Sequence, residues 1–77
     1  MFSADMNRTQ ARSCCFRHAT LIRADLRDGD FVNSDFTDAN LLESNLERAS
    51  FQNSTLTSAN LESTNRANTN FQNAIMP

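Results

Sequence analysis

The sequence predicts an all-β solenoid, a parallel β-helix in which the chain turns a corner every five residues. A large apolar side chain, mostly Phe or Leu, stands at every fifth position from Phe16 to Leu61 and recurs at Phe71 and Met76. A small residue precedes each of them by two positions as far as Leu61. A five-residue period would scatter these side chains around an α-helix and over both faces of a regular strand. Short extended segments joined by turns instead direct them all toward one axis, which gives a stack of coils.

Stacking of like residues indicates how many five-residue units complete one coil. An offset of twenty residues places Phe with Phe and Leu with Leu, whereas an offset of ten almost always mixes the two types. The columns at an offset of twenty are Phe31, Phe51 and Phe71; Leu21, Leu41 and Leu61; Phe16 and Phe36; and Leu26 and Leu46. An offset of fifteen matches the apolar residues only slightly less well, so these residues alone do not exclude a coil of three units.

The charged residues favour the offset of twenty. At an offset of twenty, charged residues that face each other have opposite signs, except for the pair of Asp5 and Asp25. At an offset of fifteen, most of the facing charges have the same sign. Like charges on directly opposite residues destabilise neighbouring strands. The favourable pairs are Arg8 with Asp28, His18 with Asp38, Arg23 with Glu43, Arg27 with Glu47, and Asp28 with Arg48. We therefore predict four five-residue units per coil.

Three segments, residues 24–28 (Ala-Asp-Leu-Arg-Asp), 39–43 (Ala-Asn-Leu-Leu-Glu) and 59–63 (Ala-Asn-Leu-Glu-Ser), carry a family resemblance. They resemble the A(D/N)LXX unit of pentapeptide-repeat proteins, from about residue 4 to residue 76, so we expect residues 1–77 to form a single repeat domain. The resemblance implies a right-handed quadrilateral parallel β-helix, here of just under four coils. The central Leu or Phe and the small residue two before it would face inward, and the other three positions would face solvent.

Composition gives no sign of export or of a membrane segment. The chain has 77 residues, a net charge of −2, one Gly and one Pro. It contains neither the apolar run of a secretory signal nor a stretch long enough to cross a membrane. We therefore expect a cytoplasmic location and no membrane partner, unless a targeting segment has been removed.

The sequence lacks the side chains that catalytic sites usually contain. His18 is the only histidine, and its expected neighbour Asp38 indicates a surface ion pair rather than a catalytic dyad. The single glycine, Gly29, excludes a glycine-rich phosphate loop. Cys14 and Cys15 are adjacent, a geometry that pairs poorly, and no further Cys or His cluster completes a metal site. We predict no catalytic residue, no cofactor and no metal, with Cys14 facing inward and Cys15 near the surface.

Four residues make up a candidate interaction surface. Ile22 and Leu42 are twenty residues apart and therefore lie one above the other, with Val32 placed around the adjacent corner. Such a patch is small, and scattered apolar residues also occur on surfaces that bind nothing. Arg66 occupies a central position, where an unpaired guanidinium is costly to bury. Two interpretations of Arg66 stay open: a frayed or capping last coil, or a contact with a carboxylate of another subunit.

An acidic belt lies in the middle of the sequence, with a net charge of −6 over residues 28–47. Its members are Asp28, Asp30, Asp35, Asp38, Glu43 and Glu47. Some proteins similar to this chain are DNA mimics that occupy the DNA-binding groove of gyrase, and a mimic should be anionic along much of its length. This belt spans one coil and faces arginines, so we interpret it as ladders of ion pairs. Direct nucleic-acid binding is not expected either, since the chain lacks Lys and exposed aromatic residues.

The sequence as a whole predicts a non-enzymatic structural or protein-protein interaction module. One alternative is a DNA-mimicking inhibitor or protector of DNA gyrase or topoisomerase, and a second is a repeat domain of a larger regulatory or effector protein. Proteins with this repeat occur in cyanobacteria, other bacteria and plant plastids, usually without an assigned activity. The open ends of a short solenoid expose backbone donors and acceptors. We therefore expect a protein partner or self-association through the coil ends.

Overall fold

A computed structural model describes residues 5–77, so the predicted first residue of the repeat, Ala4, lies outside the described part. Within residues 5–77 the backbone forms no helix and no strand longer than one residue. Every fifth residue from Asp5 to Ile75 is instead an isolated β-bridge residue. Each bridge is parallel and joins residues twenty apart, from Asp5 with Asp25 to Thr55 with Ile75. The predicted offset of twenty is confirmed, and the coils stack as a parallel β-helix.

The turns between bridges share one backbone conformation. In each five-residue unit we call the large apolar residue the centre. The residue before the centre is the bridge residue, and the residue before that is the inward residue. The two residues after the centre are the first and the second turn residue. The second turn residue has a φ between 56° and 61° in every unit from Arg8 to Asn73, and none of these residues is Gly. Positive φ at the third residue of a four-residue turn is typical of type II turns, where Gly or Asn is preferred. The stacked coils therefore hold ordinary side chains in a conformation that costs them free energy.

The five backbone N–H groups of a unit have five different acceptors, as residues 39–43 show. The centre and the second turn residue donate to the following coil, and the bridge residue donates to the preceding one. The inward residue closes the preceding turn, and the first turn residue donates to the side chain of its own bridge residue. These bonds are Leu41 N to Asn60 O (2.9 Å), Glu43 N to Glu62 O (2.9 Å), Asn40 N to Ala19 O (2.8 Å), Ala39 N to Phe36 O (3.0 Å) and Leu42 N to Asn40 Oδ1 (3.1 Å).

The last of these bonds explains why Asp and Asn recur at the bridge position. Their short side chains carry an oxygen that reaches the N–H two residues further on, as in an Asx turn. The same bond forms from Arg27 N to Asp25 Oδ1 (3.1 Å) and from Gln72 N to Asn70 Oδ1 (2.9 Å). The Asp or Asn of the A(D/N)LXX pattern therefore supplies an acceptor for a backbone N–H of the turn.

The centres fill the core in the predicted columns. The Phe31 ring stacks on Phe51 with centroids 5.1 Å apart, and Phe51 stacks on Phe71 at 5.6 Å. A second stack joins Phe16 and Phe36 at 4.7 Å. The centres from residue 21 to residue 56 are at most 1% exposed. Stacked rings and aliphatic columns thus supply the apolar burial that holds the coils together.

The inward positions are occupied by residues that leave room for the centres. The Oγ atoms of the buried Ser44 and Ser54 donate to the carbonyls of Leu41 (2.7 Å) and Phe51 (2.6 Å). At Gly29 a Cβ would collide with the Phe31 ring, lying 2.9 Å from Cζ and closer still to Cε2. The single glycine is therefore required by close packing, since its φ is not in the left-handed region.

Cys14 occupies the inward position of its unit but is exposed, and Cys15 is exposed as well. Cys14 belongs to the first described coil, where no described coil covers the inward position from the other side. Its N–H donates to Ser34 Oγ (3.3 Å), whereas the Ser34 hydroxyl donates to the Ala11 carbonyl (2.7 Å). The Ser34 hydroxyl therefore bridges the turn from Ala11 to Cys14, whereas in the other described turns the inward N–H donates directly to the carbonyl of the preceding centre.

Candidate functional site

Every member of the acidic belt lies within 4 Å of a basic side chain of the column. The pairs are Asp28 with Arg48 (2.8 Å), Asp30 with Arg12 (2.6 Å), Asp35 with Arg17 (3.9 Å), Asp38 with His18 (3.6 Å), Glu43 with Arg23 (3.5 Å) and Glu47 with Arg48 (3.1 Å). The contact of His18 is an ion pair only when the imidazole is protonated. The belt is therefore compensated by the column itself rather than presented as free negative charge.

Three of the five predicted charge pairs are confirmed: His18 with Asp38, Arg23 with Glu43, and Asp28 with Arg48. The predicted neighbours Arg27 and Glu47 interact, since the charge of Glu47 helps to raise the pKa of Arg27, but they form no ion pair within 4 Å. Arg27 is held instead by the bridge residue of its own unit, Asp25, through two bonds of 2.8 Å. Asp25, two positions before Arg27, projects from the same side of the chain and is nearer to Arg27 than Glu47 of the next coil is.

The predicted pairing of Arg8 with Asp28 is not among the ion pairs of residues 5–77. The predicted like-charged neighbours Asp5 and Asp25 do face each other across a bridge. The amide of Asn7 lies between them and donates to Asp5 Oδ1 (2.7 Å) and Asp25 Oδ2 (3.4 Å). A neutral donor thus relieves the contact between two carboxylates.

Hydrogen bonds from these partners lower the pKa of several carboxyl groups. The side-chain bond from Arg27 lowers the pKa of Asp25 to about 2. Bonds from Arg48 and Arg12 lower the pKa values of Asp28 and Asp30 in the same way. The pKa of Asp35 is lowered chiefly by the Thr37 hydroxyl, which donates to it at 2.5 Å. The ionised carboxylates are consequently part of what stabilises the stacked coils.

The aliphatic column consists of Ile22 and Leu42, the first turn residues of two stacked units. The bridge of Thr20 with Asn40 and the bond from Arg23 N to Leu42 O (2.8 Å) place the two side chains in successive coils of one face. Both side chains are half-buried. The structure thus places Ile22 and Leu42 one above the other, as their spacing of twenty residues predicts.

The predicted position of Val32 around the adjacent corner is wrong. Val32 follows the bridge column of Gln10, Asp30, Ser50 and Asn70, whereas Ile22 follows that of Thr20, Asn40 and Asn60. Ten residues and two turns separate Val32 from Ile22, which is half of the twenty-residue offset. Val32 therefore belongs to another side of the column and does not enlarge the patch.

Arg66, the fourth predicted surface residue, is exposed and lies in the last coil. Its carbonyl accepts the turn bond from Thr69 N (3.2 Å), so the backbone keeps the repeat conformation around the charged centre. No ion pair of Arg66 occurs within residues 5–77. Arg66 does not belong to the aliphatic column, because its unit continues the column of Leu26 and Leu46 rather than that of Leu41.

The sequence did not predict that the apolar side chains of the last coil are accessible. Ile75 is 57% exposed and Met76 is 40% exposed, and Leu61 and Phe71 are half-buried. Among residues 5–77, no helix is long and apolar enough to cross a membrane. The same part of the chain holds no group of three or more His, Cys, Asp or Glu side chains arranged for a metal ion.

Two solved structures are similar to this chain. HetL, a pentapeptide repeat protein involved in heterocyst differentiation regulation from the cyanobacterium Nostoc sp. strain PCC 7120, is 22% identical, with a TM-score of 0.55, and the match covers 96% of this chain and 43% of HetL. The pentapeptide repeat protein Rfr23 from the cyanobacterium Cyanothece 51142 is 23% identical, with a TM-score of 0.40, and the match covers 100% of this chain and 60% of Rfr23. The chain thus spans about half the length of these two proteins.

The sequence itself matches a repeat family along most of its length. No curated protein matches the chain. The profile described as pentapeptide repeats matches in eight copies, over residues 4–41, 14–53 and 39–76. These matches cover the same units that form the bridges, turns and core columns described above. The chain therefore belongs to the pentapeptide repeat family.

Proposed function

We propose that this pentapeptide repeat protein is a non-enzymatic protein-protein interaction module whose partner contacts the aliphatic column of Ile22 and Leu42. One observation carries the proposal: at the first turn position, stacked aliphatic side chains occupy neighbouring coils of one face. Residues at this position on the other sides of the same coils include Arg27, Thr37 and Glu47. The ion pair of Arg23 with Glu43 borders the column, which gives the apolar centre and polar edge common in protein interfaces.

We also propose the finer architecture, a right-handed four-sided β-helix of just under four coils. The offset of twenty residues between bridge partners equals four five-residue units, and each unit contains one turn. Four turns per coil support four sides. The stiff backbone that results would present the aliphatic column without rearrangement, so little conformational entropy would be lost on binding.

An affinity capture experiment with matched variants tests the partner proposal. The variant Ile22→Asp with Leu42→Asp places two charges in the aliphatic column. The control, Thr37→Asp with Thr57→Asp, places two charges at the same turn position on another side. We expect proteins captured by the wild type and the control to be lost from the Ile22→Asp, Leu42→Asp variant. Equal capture by all three chains would contradict the proposal.

The alternative of a gyrase-directed DNA mimic has less support. Five of the six carboxylates of the acidic belt lie within 4 Å of an arginine guanidinium, with separations from 2.6 to 3.9 Å, so most of the charge of the belt is compensated within the column. Duplex DNA, in contrast, carries one charge per about 1.7 Å along its axis. We expect micromolar chain to leave the supercoiling activity of DNA gyrase unchanged. Inhibition that disappears when belt carboxylates are replaced by amides would favour the mimic instead.

A further inference from the structure

The last coil of the column has backbone N–H groups without acceptors. From Leu21 to Leu56 every centre donates to the following coil, as Phe31 N does to Ser50 O (2.8 Å), and so does every second turn residue from Arg23 to Asn53. Among the described residues, the equivalent N–H groups of Arg66, Asn68, Phe71 and Asn73 have no such bond. Each unit at this end thus offers two donors and, from its inward residue, one carbonyl.

The first described coil offers the complementary set. Its bridge and first turn residues have carbonyls that, within residues 5–77, accept no hydrogen bond, namely those of Asp5, Asn7, Gln10 and Arg12. The N–H of Gln10 likewise has no acceptor in the described part of the chain. The unit of residues 9–13 therefore offers two acceptors and one donor, which is the reverse of a unit at the other end.

We propose that a second copy of this chain stacks head to tail on the last coil and continues the hydrogen-bond ladder. Every column repeats at intervals of twenty residues, so a copy displaced by four coils, which is eighty positions, keeps each column in phase. In that register Phe71 N donates to Gln10 O of the second copy, Asn73 N donates to its Arg12 O, and its Gln10 N donates to Thr69 O.

The same register covers the accessible apolar side chains. Met76 is 40% exposed and Phe71 is half-buried, whereas inner centres such as Phe51 are fully buried. Phe16 of the second copy, itself half-buried, comes above Met76, and its Ala11 comes above Phe71. Stacking would therefore bury the apolar centres of the last coil in the same way as neighbouring coils bury the centres of the inner coils.

The register also brings together two charges that lack ion pairs. Asp5 and Arg66 are exposed, lie at opposite ends of the column, and take part in none of the ion pairs formed within residues 5–77. In the stacked arrangement Asp5 of the second copy lies above Asn65, next to Arg66. The charged centre that interrupts the apolar column would thereby have a carboxylate within reach.

Head-to-tail stacking differs from a symmetric dimer in what it predicts. Two last coils facing each other would oppose two donors to two donors in each unit, which leaves most of these N–H groups unsatisfied. A head-to-tail contact joins two different surfaces and does not close, so copies add in a row. The contact uses the ends of the column rather than the aliphatic column, and it does not depend on the proposed protein partner.

Complementary end variants test the inference by sedimentation velocity over a concentration series. Gln10→Pro removes the outward N–H of the first coil and adds a ring where Thr69 of a neighbour would bond. Arg66→Glu at the other end opposes a carboxylate to Asp5. At concentrations where the wild type forms growing oligomers, we expect each variant alone to stay monomeric and an equimolar mixture to form one dimer, since one intact end of each kind remains. A monomeric wild type would overturn the inference, and so would a dimer of Gln10→Pro alone, which indicates a symmetric contact.

A charge exchange keeps the test decisive where Gln10→Pro does not fold. We expect Asp5→Arg and Arg66→Glu each to lower the association constant at least tenfold, and the chain with both changes to recover it to within about threefold. Glu62→Arg reverses another charge of the last coil, one outside the Asp5 and Arg66 column, and should leave association unchanged. No recovery in the double variant would contradict the proposed register. None of these changes touches Ile22 or Leu42, so capture of a protein partner remains separately measurable.

Discussion

The inner coils and the last coil are built from the same five-residue unit, yet they differ sharply in burial. Leu41 is fully buried and Leu61, twenty residues later in the same column, is only half-buried. Phe51 and Phe71 show the same contrast although their rings stack on each other at 5.6 Å. The turns are alike in both regions, with φ near 60° at Glu43 and Ser63.

The contrast shows that a unit of this repeat has no core of its own. Its backbone conformation is local, but its burial requires a coil on each side, as in other solenoids. Stability should therefore be concentrated in residues 21–60 and decline toward both ends. Of four tests, the first compares the two regions directly and the other three concern the inner coils, and we take them from the largest expected effect to the smallest.

The largest effect is expected from deleting the same side chain in the two regions. Leu41→Ala should lower the free energy of unfolding by about 3 kcal/mol, because it leaves a cavity between two coils. Leu61→Ala should cost about 1 kcal/mol, because this side chain already contacts solvent. Urea denaturation of the two variants measures the difference, and equal costs would contradict the contrast between inner and last coils.

The second substitution concerns the tightest contact of the inner coils. Gly29→Ala should cost about 1 to 3 kcal/mol, since the added methyl group meets the Phe31 ring, which stacks on Phe51 and cannot move away. Ala39→Ser is the control at the same position of another unit. It should cost well under 1 kcal/mol, because its hydroxyl can donate to a turn carbonyl as those of Ser44 and Ser54 do.

The third substitution tests the positive φ of the turns. Asn53 has a φ of 60°, a conformation that a β-branched residue adopts only with strain. Asn53→Val should lower the free energy of unfolding by about 1 to 2 kcal/mol, as measured by thermal or urea denaturation. Gln52→Val should have an effect within about 0.5 kcal/mol, because Val32 occupies the equivalent first turn position one coil earlier. A reversed order of the two variants would show that the turn geometry is different.

The smallest effect is expected from pH. The pKa of Asp25 is lowered from 3.8 to about 2 in the folded chain, so the unfolded chain binds more protons at intermediate pH. Its contribution is fully present above about pH 4 and is lost as the pH falls toward 2. Asp25→Asn keeps the Asx turn and should cost about 1 kcal/mol at pH 7 but little at pH 2. A parallel decline of both chains between pH 5 and pH 2 would contradict this assignment.

The sequence predicted those features that depend on residues directly stacked on one another. The offset of twenty, the Phe columns and the pair of Asp28 with Arg48 follow from placing like residues or opposite charges together. Arg12 and Arg17 instead reach carboxylates eighteen residues on, Asp30 and Asp35. A rule that considers only residues twenty apart overlooks such diagonal contacts of long side chains.

Other features depend on where a residue lies along the column. Cys14 has the small side chain of an inward residue, but its place in the first described coil leaves it exposed. Val32 was assigned to the wrong side because two turns, rather than one, separate it from Ile22. The collision that makes Gly29 necessary depends on the orientation of one ring, which no sequence pattern encodes. Within the candidate site, the sequence therefore located the stacked pair of Ile22 and Leu42 but not the surroundings of Cys14 or Val32.

The central claim is the twenty-residue register, and scalar couplings across hydrogen bonds measure it directly by NMR. In the register described here Phe31 N–H donates to Ser50 O at 2.8 Å and Leu41 N–H donates to Asn60 O at 2.9 Å. We expect couplings from the amide nitrogens of Phe31 and Leu41 to the carbonyl carbons of Ser50 and Asn60. Couplings from Phe31 to the carbonyl carbon of Asn45 instead would indicate coils of three units and would contradict the account.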